Sequence, residues 1–329
     1  MAVAVTGRSS PTEPSPPERA AEPPVRHGTS WRTRLRRDKV LLLMMLPGVL
    51  YFAVFQYLAQ LGNVIAFKDY LPFVGIKDSA WVGFRNFTVL WQDPAFWRAV
   101  ANSLELAGLQ LLLFFPVPLA LALLLHSLTR AWVRKLVVSF VYLPHFVSWV
   151  IVVGLFVQVL GPNGVANGLL SGDSHHHVVT LFTDPAMFKP MMIVELIWKD
   201  CGWGTIIFLA ALHQVDEGLY EAAALDGAGW GRRHWHVTLP SIRPVIVLLL
   251  IMRVGDILSV GFDQVMQQRN TFGPQASEVM DTYIYYHGVQ DGNFSTGAVA
   301  GLFKGVIALI LVIGANKIAH RLGEQGVYQ

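Results

Sequence analysis

Residues 221–240 read EAAALDGAGWGRRHWHVTLP and form a hydrophilic break between two long apolar stretches. Asp216, just upstream, is placed to cap a short helix running from Glu217 to about Leu225, because its carboxylate can accept from the free N–H groups of the first turn. Tyr220, Ala223 and Ala224 fall along one side of that helix. Alanine favours helix and adds no bulk, so this side is thin enough to enter a groove on another protein. Gly227 and Gly229 then permit a turn that side chains would forbid. A second short helix, about Trp230–His236, follows; Pro240 is expected to end it and Ser241 to begin the next apolar run. Two short helices set at an angle between two membrane segments would act as a lever.

The apolar stretches on either side decide the fold class. The chain is 53% apolar and only 14% charged, whereas a soluble domain carries about 25% charged residues. The apolar residues collect in runs of about 20, the length that crosses a bilayer as a helix. The reading is an all-α polytopic membrane protein of about six spans, near 40–59, 98–125, 136–160, 190–213, 241–262 and 297–319. Arg32, Arg34, Arg36, Arg37 and Lys39 precede the first span; Arg130, Arg134 and Lys135 lie in a short loop; Arg232, Arg233 and Arg243 flank the break at 221–240; Lys317 and Arg321 close the chain. The opposite loops, roughly 61–97, 161–189 and 263–296, carry fewer bases. Excess Lys and Arg marks the cytoplasmic side, so both termini and the segment 214–240 are expected in the cytoplasm, with the spans in the plasma membrane and in contact with lipid. The bases form no stripe of the kind that binds nucleic acid. Cys201 stands alone, which excludes an internal disulfide and a multi-cysteine metal site.

Two regions follow: 1–38, a Pro-rich tail with a basic flank, and 39–329, the transmembrane domain. Pro11, Pro14, Pro16, Pro17, Pro23 and Pro24 crowd the tail, which has too little apolar surface to offset the entropy of ordering and no apolar core of a signal peptide. Pro47, Pro116, Pro118 and Pro144 fall inside spans and are expected to kink them. Gly297, Gly301 and Gly305 put three glycines on one helix face, where another helix can approach closely.

Ionisable residues inside a span are costly and point to function or to interhelical pairing. Lys199 and Asp200 lie mid-span; Arg253 and Asp256 are three apart and could pair on one face; Glu105 and Lys304 are singletons. Trp198 and Trp203 could cover the C–H face of a sugar, or anchor the helix at an interface. With Lys199, Asp200, Arg253 and Asp256 they are the candidates for a solute path. His175, His176 and His177 are consecutive, so they do not converge on one ion, and no metal site is expected there. The sequence contains no G-x-x-x-x-G-K-[S/T] loop for nucleotide phosphates.

The spacing of the central break is specific. Glu221-Ala222-Ala223, Gly227 after three residues, and Val237-Thr238-Leu239-Pro240 after nine more resemble the EAA loop of binding-protein-dependent ABC transporter permeases, with Val237 where the pattern prefers Ile. Asp226-Gly227-Ala228 is similar to the sugar-importing branch. Trp198-Lys199-Asp200 with Gly202-Trp203-Gly204, Gly261-Phe262-Asp263-Gln264-Val265, Asp281-Thr282-Tyr283 and Leu322-Gly323-Glu324 resemble segments of complex-carbohydrate permeases, so the likeness covers roughly 38–329. It implies a type I importer bundle that forms the solute path with a second, homologous permease. It also implies a cytoplasmic ABC ATPase dimer that binds the ATP and Mg, leaving no cofactor in this chain, and an extracytoplasmic solute-binding lipoprotein. Glu221, Ala222, Ala223, Asp226, Gly227, Leu239 and Pro240 then become the residues that couple to the ATPase, and the chain is a transport subunit with no enzymatic activity of its own. Two alternatives stay open at this point: an ABC permease for a solute other than sugar, and an ion-coupled secondary transporter using Asp200, Asp256 and Glu105. The second would call for inverted repeats, which the sequence does not display.

Overall fold

The computed structural model describes residues 38–171, 181–182, 184–256, 258–259, 261–321 and 323. The Pro-rich tail up to residue 37 and the histidine run at 175–177 lie outside these. The chain divides into two compact units, Met1–Gln60 and Leu61–Gln329. In the first, helix α1 (Lys39–Phe52) contains Pro47 and continues through wider turns at Ala53–Leu58.

Helices long and apolar enough to cross a bilayer cover Lys39–Phe67, Pro94–His126, Trp149–Leu169, Trp230–Gly255 and Phe294–Arg321. Phe188–Leu212 joins them at 25 residues, about 37 Å at 1.5 Å per residue. It differs in carrying Glu195, Lys199 and Asp200 at its centre.

The second unit begins with a two-residue antiparallel pair, β1 (Lys68–Asp69) and β2 (Ala80–Trp81), with Lys68 opposite Trp81. Helix α2 (Arg85–Gln92) follows, then α3 (Pro94–Leu109) and α4 (Pro116–His126). Asp93 starts α3, its Oδ1 accepting from the Ala95 N–H at 2.8 Å, with Pro94 in the first position where no N–H is needed. A wide turn at Gln110–Phe114 joins α3 to α4, closed by the Phe115 N–H on the Gln110 carbonyl at 2.9 Å. That i to i−5 bond makes room for Pro116, whose ring would otherwise meet the carbonyl four residues back.

The span expected at 136–160 is not one helix. It is α5 (Ala131–Tyr142), a tight turn Leu143–Phe146 holding Pro144, two extended residues, and α6 (Trp149–Leu160). Pro144 ends the helix because it lacks an N–H and its ring opposes the preceding turn. Helices α7 (Val165–Ser171) and α8 (Phe188–Leu212) follow.

Helix α9 (Glu217–Leu225) matches the expected bounds, but the second short helix does not. Trp230–Arg233 (α10) runs through a wide turn at His234–Thr238 into α11 (Leu239–Gly255), giving one span of 26 residues. Pro240 therefore does not stop a helix. The Leu239 N–H bonds five residues back to the His234 carbonyl, and the widened turn before Pro240 accommodates its ring. At the far end α11 stops at Gly255, short of the expected 262, and Gly261, with φ of 56°, opens α12 (Phe262–Phe272). Short helices α13 (Pro274–Ser277) and α14 (Met280–Tyr283) precede the long α15 (Phe294–Arg321).

Three apolar clusters hold this unit together. One joins Phe96, Ala99, Val100, Met280, Tyr283, Val299 and Ala300; a second joins Leu106, Phe188, Met192, Val265 and Phe272; a third joins Ala122, Leu125, Phe208, Leu212 and Ile242. Buried polar bonds tie the non-spanning helices to the bundle. Glu195 Oε2 accepts from Gln264 Nε2 at 2.7 Å and from Gln268 Nε2; Ser103 Oγ accepts from the Met280 N–H at 2.8 Å; Asn102 donates to the Glu278 carbonyl at 3.0 Å. The Tyr283 hydroxyl donates to Asp93 Oδ2, and burial, reinforced by that carboxylate, pushes the phenol's pKa upward so that it stays a donor. Gly297 does permit close approach: a Cβ there would lie 2.8 Å from the Cα of Gly288. Gly301 and Gly305 do not serve this purpose, since nothing lies within 4 Å of a Cβ at either.

Candidate functional site

Helix α9 is fixed at both ends and along one side. Asp216 Oδ1 accepts from the Gly218 N–H at 2.9 Å. The C-terminal end closes with the Ala228 N–H on the Ala223 carbonyl at 2.9 Å, around Gly227 at φ of +73°. A side chain would strain that left-handed position. Gly229 has φ of −68°, an ordinary value, so its role in the turn is not conformational. Arg233 Nε donates to the Ala228 carbonyl at 2.7 Å and braces the turn from α10. The Tyr220 hydroxyl donates to Thr238 Oγ1 at 3.1 Å, and Thr238 is fully buried.

This bond settles which face of α9 points outward. Tyr220 and Ala223 are half-buried toward the span that follows, so the thin face assigned to Tyr220, Ala223 and Ala224 is only partly free. Glu221, Ala222, Ala224 and Asp226 are exposed, and Leu225 is 90% exposed. Leu239 is half-buried and Pro240 exposed. The outward face thus combines two carboxylates, small residues and an uncovered leucine.

A second feature lies within the bundle. Phe114, Phe115, Pro118, His145, Asp200, Trp203, Gly204, Ile207, Phe208, Leu249 and Arg253 line a cavity of about 220 Å³. Three rings stack along its wall: Trp203 on His145 at 5.1 Å and 13°, and His145 on Tyr142 at 5.7 Å and 11°. The Asp200 carboxylate meets His145 Nδ1 at 2.9 Å. Lys199, buried on the adjacent helix position, donates to the His145 carbonyl at 2.7 Å and lies 3.8 Å from Asp200. The break at Pro144 is therefore held by a lysine that satisfies a carbonyl of the irregular turn, as non-helical backbone within a membrane requires. Arg253 donates to Gln110 Oε1 and lies 5.3 Å from the Phe114 ring centre.

Two glycines allow this assembly. A Cβ on Gly202 would fall 2.4 Å from the Val141 carbonyl oxygen and 2.7 Å from the Tyr142 Cα, and one on Gly204 would fall 2.8 Å from the Pro118 Cβ. They let α8 lie directly against α5 and α4.

Of the six candidate solute-path residues, Asp200, Trp203 and Arg253 line the cavity and Lys199 supports it from behind. Trp198 does not line it; it packs edge-on against Phe156 at 5.8 Å. Asp256 sits at the C-terminal cap of α11, away from the lining, and Arg253 bonds Gln110 rather than forming the expected pair with it. The singletons are paired: Glu105 with Lys189, and Lys304 with Asp281.

Residues 114–322 match the family model described as binding-protein-dependent transport system inner membrane component. The chain belongs to this family. Both the exposed loop and the cavity fall inside the matched region. Among its relatives, protein LplB of Bacillus subtilis is 45% identical over 302 residues, covering 92% of this chain and 95% of LplB. The polygalacturonan/rhamnogalacturonan transport system permease protein YteP of the same organism is 45% identical over 296 residues, covering 90% of this chain and 92% of YteP. A chain in the crystal structure of a bacterial alginate ABC transporter, in complex with alginate pentasaccharide-bound periplasmic protein, superposes with a TM-score of 0.82 at 38% identity, covering 90% of this permease and 99% of that chain. The permease is thus a membrane-embedded ABC transport subunit with the all-α bundle expected from its sequence.

The sequence did not point to His145, Tyr142, Gln110 or Glu195. Pro144 next to His145 inside an apolar run was the available signal for a broken helix, and the two glycines around Trp203 were the signal for close packing. Nothing local marked Gln110, whose role depends on a residue 143 positions away.

Proposed function

We propose that this permease imports oligosaccharides or complex sugars together with a second, homologous permease. A separate cytoplasmic ABC ATPase dimer supplies the hydrolysis, and an extracytoplasmic binding protein delivers the sugar. The observation that carries the reading is a mechanical link. The α9 helix, with Glu221 on its outer face, is hydrogen-bonded through Tyr220 to Thr238. Thr238 opens into the span whose other end places Arg253 in the cavity. Motion imposed on α9 is delivered along this span to the cavity wall.

Sugar chemistry suits that wall. A flat indole, stacked and so unable to swing freely, matches the C–H face of a pyranose, and carboxylate, imidazole and guanidinium groups supply hydrogen-bonding partners for hydroxyls. The relatives named for polygalacturonan and rhamnogalacturonan transport and for alginate support the same solute class. The basic loops support a topology with both termini and α9 in the cytoplasm. The sequence's lack of a phosphate-binding loop supports a permease that hydrolyses no nucleotide itself and needs no cofactor of its own. An ion-coupled transporter is not favoured: Glu105 is paired with Lys189 and Asp200 is engaged by His145 and Lys199.

Purification from native membranes through an N-terminal tag tests the reading. Recovery of a second permease and an ABC ATPase, with sugar uptake in proteoliposomes that requires ATP and the binding protein, is the expected result. Recovery of this chain without an ATPase under mild detergent, or uptake driven by an ion gradient, would overturn it.

A further inference from the structure

One cation on the cavity wall, Arg253, has hydrogen-bond donors that its neighbours leave unfilled. Asp200 is met by the imidazole of His145 at 2.9 Å and by the ammonium of Lys199 at 3.8 Å. Its charge is thereby answered by Lys199 on the same helix and by His145 on the turn after α5. Arg253 has no such answer. Its guanidinium reaches the neutral amide oxygen of Gln110 and the face of Phe114. Asp200 and Asp256 lie near enough to act on its charge, yet among the described residues neither forms an ion pair with it. A guanidinium has five donors, and Gln110 takes only part of that capacity. The rest of the lining nearby is Phe114, Phe115, Phe208 and Leu249, which cannot accept hydrogen bonds. A half-buried cation beside apolar walls is stabilised when an anion or strong acceptor completes its shell, and the planar fork of arginine fits a carboxylate in two-point fashion.

We propose that Arg253 is the counter-ion for a carboxylate-bearing sugar unit, so that the cavity passes uronate-type saccharides in preference to neutral ones. This rests on the saccharide-importer reading above. Trp203, stacked on His145, receives the apolar face of the ring; Arg253, on the same cavity, receives the carboxylate at its edge. Gln110 and Phe114 hold the guanidinium in place, which lowers the entropy lost when the carboxylate arrives. Lys199 is not available for this role, because its ammonium is committed to the His145 carbonyl and to Asp200.

The test uses the complete importer, co-purified with its second permease, ATPase and binding protein, in proteoliposomes. The probes are trigalacturonate and its fully methyl-esterified, neutral counterpart, each supplied at saturation of the binding protein as established beforehand by titration. The variants are Arg253→Met and Arg253→Lys. The expected result is faster uptake of the acid than of the ester by the native importer. Arg253→Met should lower the maximal rate for the acid by on the order of tenfold, the ester much less, and Arg253→Lys should recover part of the loss, since it keeps the charge but not the fork. Equal loss for both probes, no loss for either, or an ester rate matching the acid in the native importer would overturn the proposal and leave the importer reading standing. Failure of an assembled, ATP-hydrolysing complex to move either probe would overturn this proposal, while the saccharide reading stands or falls on the uptake test given above. Recovery of intact complex for Arg253→Met on size exclusion separates a folding defect from a transport one; should it fail to assemble, Arg253→Lys carries the comparison, with an unchanged ratio of acid to ester rates overturning the proposal.

Discussion

In the loop at 214–240 the working residues are close neighbours in sequence, whereas the cavity gathers Phe114, His145, Asp200 with Trp203, and Arg253 from four distant segments of the chain. The loop stands on local rules: a carboxylate cap at Asp216, a glycine at φ of +73°, and one hydroxyl pair from Tyr220 to Thr238. Its outer face remains uncovered, with Leu225 90% exposed. The cavity stands on fitted backbones, with Gly202 and Gly204 pressed against Val141, Tyr142 and Pro118. Damage to the glycine contacts that frame the cavity should therefore act on the fold as a whole, and damage to the loop should act on transmission while the bundle survives.

Gly202→Val would break the comparison most severely. Its side chain would enter the space of the Val141 carbonyl and the Tyr142 backbone, and overpacking of a close-packed site costs about 1–3 kcal/mol and more where backbone must move. Thermal unfolding in detergent should show a large drop in midpoint and poor recovery from membranes; a native midpoint would mean that α8 and α5 are not held as described. Glu221→Lys comes next and should separate the two regions cleanly. Uptake and ATPase co-purification should fall by on the order of tenfold, with stability within about 0.5 kcal/mol of native, as for an exposed substitution. Normal uptake would remove Glu221 from the coupling face.

Gly227→Val should follow, with local strain of about 1–2 kcal/mol at the left-handed position. Sugar-stimulated ATP hydrolysis should drop while the unfolding midpoint of the bundle stays near native, and unchanged stimulation would reject the turn as part of the linkage. Tyr220→Phe is the mildest. It removes a hydrogen bond worth about 1 kcal/mol, and a few-fold loss of uptake with unchanged ATPase binding would show that α9 still docks but is less firmly joined to its span.

The two regions also differ in how much of them the sequence discloses. The bounds of α9, the cap at Asp216 and the turn at Gly227 follow from residue types within a few positions, and a strong apolar pattern locates the spans. The wide turns before Pro116 and Pro240 were not legible, because Pro116 was read as a kink and Pro240 as a stop; a proline is equally compatible with a local change in helix pitch when the chain on both sides is held apolar and packed. Arg253 and Asp256 read as a pair because they are three apart, but a helix that ends at Gly255 leaves Asp256 at a cap and frees Arg253 for Gln110. Glu195 was passed over because its partners, Gln264 and Gln268, lie some seventy residues on in a helix outside the spans. Long-range polar pairing leaves no periodic trace.

The central claim is that the outer face of α9 meets the ATPase, and a single engineered cysteine tests it most directly. The only native cysteine, Cys201, is buried, so Glu221→Cys provides one reactive thiol on the exposed face of α9. Cross-linking with a short heterobifunctional reagent in native membranes, read by mass spectrometry, should join residue 221 to the ATPase subunit. A cross-link to the extracytoplasmic binding protein, or none to an ATPase that co-purifies with the permease, would contradict the account.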